Sequence, residues 1–183
     1  MSEKSKKLGR NYWRLWSAHA TSNLGDGLAS VAFPWLASAV TREPFLIALI
    51  AVMSRLPWLV FTLPAGVITD RFDRKKIIVS MNLSQGVLAL ILALTIFLER
   101  NSLPDLNSVA DAANFETNYS LYISLLLISL LFGFTEVLRD NAGQTFLPSV
   151  VEKEQLESAN GKLWSAEYVM NSFIGPPIAS LIS

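Results

Sequence analysis

Asp26, Arg55, Glu136 and Arg139 stand inside stretches that are otherwise oily enough to lie in a bilayer. A charge at the bilayer centre costs ~2.5–3.5 kcal/mol on insertion scales, so such residues mark a substrate, cation or proton site, or are held by a buried partner. In the first stretch His19, Ser22 with Asn23, Asp26 and Ser30 recur every three to four residues and share one helical face. Leu24, Leu28, Val31 and Trp35 occupy the other face. This pattern fits a helix lining an aqueous cavity, with Asp26 as the candidate for substrate, cation or proton. The competing reading pairs Asp26 structurally with Arg55. His19 reads as an interfacial or hydrogen-bonded histidine rather than a proton carrier.

The fourth stretch is apolar from Tyr119 to Phe134 and then turns polar at Glu136, Arg139, Asp140, Asn141 and Gln144. Glu136 with Arg139 (i,i+3) and with Asp140 (i,i+4) cluster on one side. The alternative is a frayed interfacial end with Arg139 snorkelling to water. Arg55, near the middle of the second stretch, is expected to bind an anionic substrate or to pair with Asp26 or Glu136. Asp26 and Asp140 are expected at different depths, which argues against a catalytic carboxylate dyad. A single histidine and no Gly-x-Ser-x-Gly leave a hydrolase without its constellation, and no enzyme activity is expected. The absence of cysteine excludes disulfides, thiol catalysis and Cys-ligated metals. No cofactor or metal is expected. A net charge of zero gives no sign of a nucleic-acid partner.

These residues need helices to hold them. With 51% hydrophobic residues, 16% charged and a mean hydropathy of +0.38, the chain departs from soluble domains. Five stretches reach the ~20 residues that a ~30 Å hydrocarbon layer demands: about 13–40, 44–69, 76–98, 119–147 and 156–183. The expected fold is therefore an all-α membrane protein of five transmembrane helices behind a tail over residues 1–12. The first helix is too long and polar for a cleaved signal. Pro57 and Pro64 fit a bent second helix within a bundle. In the fifth, Asn160, Trp164, Glu167 and Asn171 share a face, and Gly175-Pro176-Pro177 reads as a close helix contact with a kink.

Lys4, Lys6, Lys7, Arg10, Arg14, Arg71, Arg74, Lys75, Lys76, Lys153 and Lys162 fall on one side, against Arg42 and Arg100 on the other. The positive-inside bias places the N-terminus in the cytoplasm of a cell or inner membrane. The polar loop from Glu99 to Asn118, with Pro104, then lies outside as a solvated connection. An odd helix count and a fifth span running into Ser183 predict a bundle incomplete at its C-terminus.

The segment Gly66-Val67-Ile68-Thr69-Asp70-Arg71-Phe72-Asp73-Arg74-Lys75-Lys76 resembles the signature loop between helices two and three of the major facilitator superfamily. That signature is glycine, three residues, aspartate, a basic residue, one residue, usually glycine, then a basic pair. Asp73 stands where glycine is common and can cap the third helix. Leu147-Pro148-Ser149-Val150-Val151, Leu156, Ala159-Asn160 and Gly175-Pro176 resemble the branch of enterobactin-type siderophore exporters and macrolide efflux proteins. Gly175-Pro176 is similar to the antiporter motif of drug exporters, although Trp164 and Asn171 stand near where its upstream glycines belong.

The resemblance implies five of twelve helices of a secondary transporter that exports drug-like or siderophore-like small molecules by alternating access. Protons or another ion would drive it, and a C-terminal half would complete it. It also implies a conformational latch formed by Asp70, Arg74 and Asp140 within a switch loop that includes Gly66, Arg71 and Lys75. The loop cations would in addition fix topology and touch anionic lipid. A different class of reading is a non-transporting membrane interaction subunit, or one half of a split transporter.

Overall fold

The computed structural model describes residues 7–100 and 117–182. Four long helices come first: α1 (Arg10–Val40), α2 (Pro44–Arg71), α3 (Arg74–Leu98) and α4 (Tyr119–Phe146). A broken segment follows, made of α5 (Leu156–Tyr168), a π-helical turn (Val169–Ile174) and α6 (Gly175–Ile182). Among the described residues there is no strand. Lys4, Lys6, most of the Glu99–Asn118 loop including Pro104, and Ser183 lie outside the described residues.

Local chemistry explains several of the boundaries. Pro44 opens α2, where its missing N–H costs nothing. Asp73 ends the α2–α3 turn and accepts from the Lys76 N–H at 2.9 Å, so the acid that departs from the signature is the cap of α3. Asn118 does the same for α4 through the Leu121 N–H at 3.1 Å. Beyond Phe146, Pro148 sits in a short 3₁₀ turn (Leu147–Ser149) rather than in a continued α-helix.

Pro44–Arg71, Arg74–Leu98 and Tyr119–Ser149 are long and apolar enough to cross a membrane. Their outward faces are greasy, as Leu59, Leu63, Leu83 and Leu90 show, with Leu63 86% exposed. α1 and the α5–α6 segment are not in that set. The polar stripe of α1 lowers its hydropathy, and the π-helical turn divides the last segment into helices of 13 and 8 residues. Contacts, rather than hydropathy, hold these two in the bundle.

α4 is the central helix and packs against α1, α2 and α3. The Asn118 N–H donates to the Val40 carbonyl at 3.0 Å, which sets the start of α4 beside the end of α1, so the two run antiparallel. Around that end Phe33, Ala37, Val40, Ile50, Leu121 and Leu125 form one apolar core. At the opposite end Tyr12, Leu15, Leu147, Ala159 and Leu163 form another, tied by the Tyr12 hydroxyl donating to the Ala159 carbonyl at 3.0 Å. A polar layer lies between the two greasy ones.

Two glycine contacts set how closely the helices approach. A Cβ on Gly133 of α4 would collide with the Ser54 carbonyl and sit 2.9 Å from Pro57 Cγ on α2. A Cβ on Gly175 would lie 2.7 Å from the backbone of Gly27, and one on Gly27 would lie 2.7 Å from the Asn171 carbonyl oxygen. The close contact expected at Gly175 is thus made with α1. The break beside it is a π-helical turn immediately ahead of Pro176 and Pro177.

Candidate functional site

The polar layer is organised around one guanidinium. In antiparallel helices each side chain leans toward the N-terminus of its own helix, so Asp26 on α1 and Arg139 on α4 lean toward one another. Arg139 Nη2 donates to Asp26 Oδ2 at 2.6 Å, and Nη1 reaches Asp26 Oδ1 at 3.4 Å. Nη1 also donates to Gln85 Oε1 on α3 at 2.9 Å. Asp140 Oδ1 accepts from Nε at 2.9 Å and lies 2.9 Å from Nη2. Gln85 Nε2 closes the ring by donating to Asp26 Oδ1 at 3.3 Å. The five donors of the guanidinium therefore all meet an oxygen.

The Arg139 side chain is 3% exposed and those of Asp26 and Asp140 are each 6% exposed. Fully ionised, the cluster would carry two negative charges against one positive. The excess is a buried negative charge that a proton or a cation can neutralise.

A second pair lies beside it. Arg55 Nη1 is 3.6 Å from Glu136 Oε1, with Arg55 61% exposed and Glu136 only 15%. Both line a cleft of about 140 Å³ between α1, α2 and α4 whose apolar walls include Phe33, Pro34 and Phe132. Asp26 lines the same cleft. It is thus both a ligand of the buried guanidinium and a wall of an accessible hollow. His19 Nε2 stands 3.4 Å from Glu167 Oε2 of α5, and Ser22 donates to Asn82 on α3 at 2.9 Å.

The geometry bears on four of these readings, and it overturns the one that set Asp26 and Asp140 apart in depth. Asp26 is partnered by Arg139, while Arg55 takes Glu136. Asp26 and Asp140, expected at different depths, meet on one guanidinium because the arginine is long and the helices lean together. Arg139 does not snorkel, since its donors are consumed inside the bundle. Asp140 accepts from Arg139 in this structure, and in the switch loop Asp70 pairs with Arg74 at 3.5 Å as an i,i+4 neighbour.

In that loop Arg71 and Lys75 are exposed, and a Cβ on Gly66 would meet open space. Arg74 Nε is buried without a hydrogen-bond partner among the described residues. Gln85 and Gly27 are site residues that pattern reading passes over. The signal for Gln85 was the Asn82/Gln85 pair, three residues apart in an otherwise apolar helix. Among the described residues no group of three His, Cys, Asp or Glu is placed to hold a metal.

The sequence profile of the transmembrane secretion effector family matches residues 8–183, nearly the whole chain. YkuC of Bacillus subtilis (strain 168), an uncharacterized MFS-type transporter, is 33% identical over 89 residues, which are 48% of this chain and 21% of that protein. The match thus spans about a fifth of that relative's length. No solved structure matches.

Proposed function

The chain belongs to the transmembrane secretion effector family of the major facilitator superfamily of transporters, and from that premise we propose that it is the N-terminal portion of a proton-coupled exporter of drug-like or siderophore-like small molecules. The cation bias supports an N-terminus in the cytoplasm for helices that cross the cell or inner membrane. The observation that carries the reading is the double position of Asp26, on the buried guanidinium and in the cleft wall.

A proton arriving at Asp26 or Asp140 neutralises the excess charge and loosens the grip of Arg139 on α1. A substrate entering beside Glu136 and Arg55 meets the other side of the same carboxylate and competes with that proton. Coupling is this competition. Alternating access needs contacts made in one state and broken in the other. Asp140 supplies one by exchanging Arg139 for Arg74 of the switch loop, whose Nε lacks a partner here.

The test uses the full-length protein in proteoliposomes, with a fluorescent macrolide and a catecholate as probes and an imposed pH gradient. Asp26→Asn and Glu136→Gln should each lower gradient-driven transport at least tenfold with expression unchanged. Wild-type rates in both variants would remove the assignment.

A further inference from the structure

Away from the polar layer and its cleft, a second hollow of about 270 Å³ opens at the end of the bundle where α1 and α3 begin. Its walls change character with depth. Arg14 stands one helical turn before Ala18 on α1, and Lys75 stands one turn before Val79 on α3, so both helices present a cation at the mouth and an apolar residue deeper in. Leu15, Ile78 and Phe146 complete the apolar part.

No carboxylate lines this hollow. Neither Arg14 nor Lys75 has an ion-pair partner among the described residues. At the same level of α1 but on its other face, Trp13 and Trp16 stack edge to face with centroids 5.6 Å apart, and Trp13 is half exposed. Aromatic residues in such a place mark the level of lipid headgroups. α3 is one of the helices apolar enough to cross a membrane, so the deep end of the hollow lies alongside acyl chains.

We infer that this hollow binds an anionic glycerophospholipid, its phosphate held between Arg14 and Lys75 and one acyl chain laid along Ala18, Ile78 and Val79. Two unpaired cations over an apolar slot match the phosphate and chain of one molecule. A free anion would use only the mouth, and a zwitterionic lipid would bring its own cation against Arg14 and Lys75.

Native mass spectrometry of the full-length protein in detergent, titrated with phosphatidylglycerol, phosphatidylethanolamine or millimolar inorganic phosphate, tests this. Wild type should retain phosphatidylglycerol through mild activation. Arg14→Ala/Lys75→Ala should weaken that retention at least tenfold, with phosphatidylethanolamine unaffected. Val79→Trp keeps both cations but fills the slot, and should lose phosphatidylglycerol as well. Ala18→Leu serves the same purpose if Val79→Trp does not fold. Wild-type binding by the slot-filled variant would show attraction to a charged surface alone and overturn the site. So would wild-type binding by the double alanine variant, or displacement of the lipid by inorganic phosphate.

Discussion

Arg139→Met should be the most damaging single change in the bundle. It leaves Asp26 and Asp140 buried without the cation they share, with Gln85 still donating to Asp26. Removing one partner of a buried ionic cluster costs about 3–5 kcal/mol, because the surviving charges keep their desolvation penalty and lose the attraction that offset it. Thermal unfolding of the detergent-solubilised protein should show a large fall in midpoint, or no folded protein.

The compensated variant Asp26→Asn/Arg139→Met/Asp140→Asn removes the three charges of the Arg139 cluster and should regain most of the lost stability, since neutral replacements of buried ion pairs are often tolerated. Transport should not return with it. Recovery of both would reduce the cluster to a structural feature. Recovery of neither would point to a packing fault from the methionine.

Gly27→Val should rank second. The atoms that its Cβ would strike belong to the backbone at Asn171 and Met170, between 2.7 and 2.9 Å away, so no side chain can swing aside. Inserting bulk into a packed interior typically costs about 1–3 kcal/mol, and backbone obstruction places this site at or above the upper end. The α1 contact with the π-helical turn and α6 must open, and Asp26, one residue away, moves with it. Gly175→Val should act similarly, and the double variant should be less than additive because either change alone separates the same helices. Gly25→Ala on the same helix meets nothing within 4 Å and should melt like wild type. A neutral Gly27→Val beside it would show that the two backbones do not touch.

Much of the site was legible because helical periodicity states which residues share a face. The stripe from His19 through Asp26 to Ser30, and the turn to polarity after Phe134, reflect the cost of placing charge against lipid. The cap at Asp73 followed from side-chain geometry alone. Pairing was not legible, for a definite reason. Periodicity fixes direction around a helix but not the axial offset between two helices. With Val40 and Asn118 in register, Asp26 and Arg139 differ by roughly 10 Å along the axis. The lean of their Cβ bonds and the reach of arginine close that gap. Helical faces alone therefore left Asp26 and Glu136 both open as partners of Arg55. The π-helical turn was equally hidden, since nothing in Val169–Ile174 distinguishes it from continuous α-helix. The backbone contact between Gly27 and Gly175 needed knowledge of which helices cross. The family match shows which family the chain belongs to, and the listed relative is matched over about a fifth of its own length.

The most direct measurement is infrared difference spectroscopy of the full-length protein in lipid, recorded across a pH titration. Two carboxylates on one guanidinium predict a protonated carboxylic-acid carbonyl band that appears on acidification and is lost in Asp26→Asn or Asp140→Asn. No such band at any pH, or one that persists unchanged in both variants, would contradict the assignment of the Arg139 cluster as the proton site.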